Sequence, residues 1–100
     1  MIQHTVAFRF DDDVDAVAFW ARVDDLASIV GVEQFTVMRQ VGRKNDFTDA
    51  LSMHFASESE YAAYNSHPVH TAFVADVWKP SVADFIELDY VVVDHVVVDR

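Results

Sequence analysis

The sequence predicts an α+β domain with the element order β-α-β-β-α-β, a ferredoxin-like subunit. Three observations carry that prediction. Residues 2–10 alternate between apolar and polar positions with period two; residues 14–30 repeat apolar side chains at helical spacing; and two further β-rich runs lead into a capping box, a helix interrupted at a His-Pro step and a last β-rich run.

In the first run Ile2, His4, Val6, Phe8 and Phe10 fall on one side, and Gln3, Thr5, Ala7 and Arg9 on the other. Period two means a strand, so His4 stands on an apolar face. Asp11, Asp12 and Asp13 end the strand and supply N-cap candidates whose charge suits a helix N-terminus. Ala16, Phe19, Trp20, Val23, Leu26, Ala27 and Val30 then form the apolar side of a helix, with Gly31 placed to stop it. Residues 32–41 are β-rich, with Phe35, Val37 and Arg39 alternating against Thr36, Met38 and Gln40. A polar turn follows, holding Arg43 and Lys44, the densest basic spot in the chain. Residues 47–55 read as a third strand with Leu51, Met53 and Phe55 on one side.

Ser57-Glu58-Ser59-Glu60 is a capping box, in which the serine accepts from the backbone three residues on and the glutamate reaches back. The helix it opens runs through Tyr64. Ser66-His67-Pro68 interrupts it and starts another, with Pro68 near the first helical position. Phe73, Val74, Val77 and Trp78 give that second piece its apolar side, and Pro80 limits it. Residues 85–93 read as the fourth strand, and the β-branched tail through Val98 is expected to prolong it.

Four antiparallel strands with helices on one face leave the other face bare, and the strands carry apolar residues at both parities. Such a face calls for a cover. A second copy supplies one, closing sheet on sheet into a dimeric α/β barrel with twofold symmetry. The expected partner is therefore the chain itself, met through the open sheet face and the Val-rich tail.

One hundred residues is the size of one domain, so residues 1–100 are read as a single unit. Net charge is −10, which repels a phosphate backbone and argues against nucleic-acid binding. The N-terminus lacks the basic and apolar regions of a signal peptide, and no apolar run approaches a membrane span. With no cysteine, a cytoplasmic location is the expectation.

The opening Ile2-Gln3-His4-Thr5-Val6-Ala7-Phe8-Arg9-Phe10, the run Tyr64-Asn65-Ser66-His67-Pro68-Val69-His70 followed by Phe73-Val74, and Asp89-Tyr90 near the end of the last strand together resemble the stress-responsive dimeric α/β-barrel (Dabb) domain. The resemblance spans nearly the whole chain and extends to proteins of the olivetolic acid cyclase type. It implies an obligate homodimer. It also implies, from a plant cyclase of the family, an aldol ring closure of a linear polyketide without metal or organic cofactor. Carried over position by position, the catalytic histidine falls on His70, its supporting tyrosine on Tyr64 and the first-strand histidine on His4. A further pocket histidine of that cyclase falls on Asp49, a departure from its pattern.

The residues themselves allow this chemistry. An imidazole ionises near neutrality and is a suitable base for an α-proton. A tyrosine hydroxyl can donate to the enolate oxygen that forms. His70, Tyr64 and His4 are the catalytic candidates, with Asp49, His67, Phe73 and Trp78 as pocket residues. The bland alternative is that His70 and Tyr64 only brace the helix break and that His4 is a satisfied core histidine. His67 and His70 have a spacing that two metal ligands use, but no third ligand is near in sequence, so neither a metal nor a cofactor is expected. Three functions follow: a cofactor-free cyclase or lyase on β-carbonyl or polyketide-like substrates; a non-catalytic stress protein that binds a small apolar or aromatic ligand; and, last, a cofactor-independent monooxygenase.

Overall fold

The computed structural model describes residues 1–93. Strand β1 (Ile2–Phe10) is followed by helix α1 (Ala16–Ala27), strands β2 (Glu33–Arg39) and β3 (Asp49–Phe55), helices α2 (Glu58–Ser66) and α3 (Pro68–Phe73), and strand β4 (Val82–Val91). The order is the ferredoxin-like one that the sequence predicts. The strands lie in the order β2-β3-β1-β4, and each neighbouring pair is antiparallel.

β1 is central and is paired along its length on both sides. His4 lies opposite Met53 of β3 and Asp89 of β4; Phe8 lies opposite Asp49 and Phe85. Because the pleat alternates, Ile2, His4, Val6 and Phe8 face the helices together with Leu51, Met53 and Phe55. The helices answer with Phe19, Val23 and Leu26 from α1, Tyr64 from α2, and Phe73 and Val77 from the third helical segment. Phe8 is completely buried at the centre of an aromatic cluster, its ring centroid 4.9 Å from Trp78 and 5.6 Å from Phe19. Phe10 meets Phe19 edge to face at 4.8 Å, an arrangement that the ring quadrupoles favour.

The far face of the sheet carries a mixture. Thr5 and Ser52 hydrogen-bond across β1 and β3 at 3.1 Å, while Met38, Ile86 and Tyr90 stand exposed on the same side. No helix among the described residues is long and apolar enough to cross a membrane.

The helix ends differ from the sequence expectation in instructive ways. Asp15, rather than Asp11, Asp12 or Asp13, caps α1, accepting from the Ala18 amide at 3.1 Å. Asp13 instead takes a positive φ of 63° in the turn, a conformation that a short polar side chain tolerates. α1 stops at Ala27, before Gly31, and Gly31 (φ 96°) makes the turn into β2. Ser57 accepts from the Glu60 amide at 3.3 Å as the capping box requires. His67 caps α3, its Nδ1 accepting from the Val69 amide at 3.1 Å.

α3 runs on through a π-helical stretch, Val74–Trp78, and a last turn, Lys79–Ser81. Pro80 supplies the reason: it has no amide hydrogen to return to the preceding turn, and its ring crowds the carbonyl four residues back. The helix widens just ahead of it, so that the Lys79 amide donates to Val74. β4 then begins at Val82, three residues earlier than predicted. It ends at Val91, although the Val92 amide still bonds the Met1 carbonyl at 2.9 Å. The predicted strand in the tail beyond residue 93 lies outside the described residues.

Truncating Phe8 removes the ring against which Phe10, Phe19, Trp20 and Trp78 pack. Phe8→Ala is expected to cost about 3–5 kcal/mol of unfolding free energy, read from denaturant titrations at one protein concentration.

Candidate active site

Between the helix-facing side of the sheet and the third helical segment the packing leaves a cavity of about 300 Å³. Val6, Leu51, Met53, Phe73 and Trp78 make its walls apolar, and the exposed Lys79, Phe85 and Glu87 form its mouth. His4, Tyr64 and His70 all line it. Three elements therefore converge: β1 brings His4, α2 brings Tyr64, and α3 brings His70 just beyond the Pro68 break.

The break places His70. Pro68 cannot continue α2, so the chain turns at His67 and the carbonyl of Asn65 is left for another donor. His70 Nδ1 takes it at 3.0 Å. A carbonyl only accepts, so Nδ1 carries the hydrogen and the neutral ring keeps its lone pair on Nε2. Burial is the main influence on this imidazole and lowers its pKa below the ordinary 6.5; the nearby His4 adds to the lowering, while the Asn65 bond and Glu87 oppose it. His70 therefore favours the neutral form that a base requires.

Tyr64 lies against His70 with ring centroids 4.5 Å apart. It is 2% exposed, yet no polar group among the described residues hydrogen-bonds its hydroxyl, and no buried side-chain polar atom there is sealed without a partner. The hydroxyl accordingly opens onto the cavity. Burial first, then the neighbouring Tyr61 and Glu87, push the phenol well above its usual range, so it remains a hydrogen-bond donor.

His4 is 5% exposed. Its Nδ1 lies 2.5 Å from Asp89 Oδ1 and 3.0 Å from the Tyr61 hydroxyl, and that hydroxyl donates to Asp89 Oδ2 at 2.9 Å. The three groups close a small ring of polar contacts on one side of the imidazole; the other side lines the cavity. Burial is also the chief cause of a raised pKa at Tyr61, with the bond to Asp89 and its charge next.

Of the residues singled out from sequence, His4, Tyr64, His70, Phe73 and Trp78 share this cavity. Asp49 and His67 do not. Asp49 borders a different, open depression with Trp20, Arg39 and Arg43, because its place at the start of β3 sets it opposite Phe8, far along the strand from His4. The His67 ring is committed to its helix cap. Sequence reasoning missed Tyr61, Asp89 and Glu87. The capping box gave a usable signal for Tyr61, since Tyr61 and Tyr64 stand three apart on one face of the helix it opens. Among the described residues no cluster of three or more His, Asp or Glu side chains is arranged to hold a metal ion.

The stress responsive A/B barrel domain family matches residues 2–92. A stress-response A/B barrel domain-containing protein of Arabidopsis thaliana is 23% identical over 96 residues, covering 91% of this chain and 36% of its own, so the chain spans little more than a third of that relative's length. Among solved structures, a dabb family protein with a ferredoxin-like fold from Mesorhizobium loti is 38% identical, with a TM-score of 0.82 over 93% of this chain and 97% of its own. A dimeric ferredoxin-like protein of unknown function from Thermobifida fusca has a TM-score of 0.77 at 23% identity, covering 91% and 90% of the two chains. A hydroxynitrile lyase from Passiflora edulis shares the fold with a TM-score of 0.84 at 17% identity, over 95% of each chain.

The depressed pKa of His70 has a linkage consequence. Folding favours its neutral form, so the associated stability is present above 6.5 and is lost as pH falls through the lower folded value. Nuclear magnetic resonance should find His70 titrating below 6.5. The drop in stability as pH is lowered past 6.5 should be smaller in His70→Gln, and an equal drop in both proteins would contradict the assignment.

Proposed function

The chain belongs to the stress responsive A/B barrel domain family, and from that membership we propose that its cavity is the active site of a cofactor-free lyase or cyclase. Its substrates would be small, largely apolar β-carbonyl or polyketide-like compounds. The observation that carries this reading is the Tyr64 hydroxyl, which no polar group among the described residues engages and which opens onto the cavity beside His70. A phenol hydroxyl open to an apolar cavity is free to donate to a ligand there.

His70 Nε2 is the base. It removes the proton from a carbon next to a carbonyl, and the electron pair moves onto the carbonyl oxygen. Tyr64 donates to that oxygen as it becomes an enolate. In ring closure the enolate carbon attacks a second carbonyl of the same molecule, and the new alkoxide takes back the proton from His70. Read in reverse, the same groups cleave a carbon–carbon bond beside a hydroxyl. His4 Nε2 accepts a hydrogen bond from the substrate and holds its far end. A volume of about 300 Å³ is at the lower end of small-molecule sites, which limits the substrate to a compact compound. The lyase from Passiflora edulis is a precedent for carbon–carbon cleavage on this fold.

The working unit we infer is a homodimer joined through the open sheet face. Exposed Met38, Ile86 and Tyr90 on that face and the dimeric Thermobifida fusca relative support it.

A second reading is favoured by the bond from His70 to the Asn65 carbonyl, which braces the helix break whether or not the ring does chemistry. In that reading the cavity binds a small aromatic compound and releases it unchanged.

A panel of linear β-polyketide thioesters and aromatic cyanohydrins separates the two. Catalysis predicts that His70→Ala lowers turnover by about 10²–10⁴-fold and Tyr64→Phe by about 10²–10³-fold. Full turnover in His70→Ala sinks the proposal. Saturable binding in calorimetry with no product from any panel member establishes the binder. For assembly, equilibrium sedimentation should give a dimer for the native chain and a shift to monomer for Ile86→Asp; a compact native monomer at micromolar concentration would refute the interface.

A further inference from the structure

The geometry points to Asp89 and Tyr61 as positioning residues for His4: together they hold its ring in the Nδ1–H form and so present Nε2 to the cavity as a hydrogen-bond acceptor. The inference rests on reading the cavity as the active site.

A neutral imidazole carries one hydrogen on either of two nitrogens, and its neighbours decide which. Asp89 Oδ1 lies 2.5 Å from Nδ1. A bare Nδ1 would set its lone pair against a carboxylate oxygen, so the hydrogen belongs there and Nε2 is left free. The pairing is written into the sheet: His4 and Asp89 are directly opposed across the β1–β4 ladder, on the face turned toward the helices.

Asp89 alone would be a loose guide. Its side chain is 43% exposed on the edge strand β4 and lines a separate open cleft with Glu58, Tyr90 and Val91, where water competes for its oxygens. Tyr61 corrects this. Its hydroxyl donates to Oδ2 at 2.9 Å, which fixes the carboxylate plane, and lies 3.0 Å from Nδ1. The Tyr61 ring is in turn stacked on Phe55, a fully buried residue of β3, with centroids 5.0 Å apart. Rigidity thus passes from the core through Tyr61 to Asp89 and on to His4. A carboxylate that orients an imidazole in this way is the role of the third member of a catalytic triad. With His4 so held, the cavity offers two imidazole acceptors, His4 and His70, and one hydroxyl donor, Tyr64.

The test reads the ring directly. Protein labelled with ¹⁵N-histidine is examined by multiple-bond proton–nitrogen correlation in the neutral-ring range, with His4→Gln to assign the signal. The native protein should show His4 protonated at Nδ1. Asp89→Ala should shift it toward the Nε2–H form, and Tyr61→Phe, which keeps the carboxylate but loses its brace, should give a mixture of both. An Nε2–H ring in the native protein, or an unchanged ring in both variants, overturns the proposal. If Asp89→Ala does not fold, Tyr61→Phe decides alone, since it removes one oxygen and leaves the stacked ring. On a substrate found with the panel above, both variants should lower kcat, Asp89→Ala by about ten- to a hundredfold, with little change in KM. Unchanged kcat beside a shifted ring also overturns it. Full turnover in His70→Ala would refute the active-site reading, while the spectrum would still decide how His4 is held.

Discussion

A histidine on the buried face of the central strand is the constraint around which the rest of this structure is arranged. Residue 4 has β-sheet on both sides and helices above, so its ring is removed from water by the same pairing that builds the sheet. Burying a polar ring without partners costs free energy. The structure meets that cost with one carboxylate from the neighbouring edge strand and one phenol from α2. β4 must therefore pair with β1 in the observed register, because a slip of one residue would turn Asp89 to the other face of the sheet. α2 must in turn lie where Tyr61 reaches across. One polar contact couples an edge strand, the central strand and a helix.

The aromatic core and the cavity divide the space above the sheet between them. Phe8, Phe10, Phe19, Trp20, Phe73 and Trp78 fill one end in mutual contact. Toward His4 the residues of β1 and β3 shorten to Val6, Leu51 and Met53, and the rings above are Tyr64 and His70, whose polar atoms keep them at the wall. The cavity lies where bulky side chains give way to polar ones. Phe73 and Trp78 belong to both regions, which makes the wall of the site as rigid as the core behind it.

Much of this is legible in the sequence because it is local. Alternation along residues 2–10 reveals the central strand and the face His4 occupies; Ser57 announces α2; and Pro68 marks the break that sets Tyr64 and His70 side by side. What escapes depends on distance along the chain. Asp89 is 85 residues from His4 and meets it only through strand register, which no local pattern encodes. Asp49 goes the other way: its likeness to a pocket position rests on alignment along β3, and the register sets it beside Phe8 at the opposite end of the strand from His4. The start of α1 is hard to read because Asp11, Asp12, Asp13 and Asp15 compete for the cap, and only the path of the turn selects Asp15.

The wide turn ahead of Pro80 has a consequence for how such a site can change over generations. A π-helical turn holds one residue more than the α-helical turn it replaces, and an α-helix advances 3.6 residues per turn. Losing a single residue between Val74 and Trp78, together with the proline, would let the segment close up as an ordinary helix. Everything upstream, His70 included, would keep its place, and so would the turn that follows, because the wide turn already absorbs the extra residue. Only the stretch of wall that begins at Val74 would be redrawn, without touching His4, Tyr64 or His70. A lineage carrying this fold thus has a route to new ligand shapes through changes in length rather than in side-chain identity.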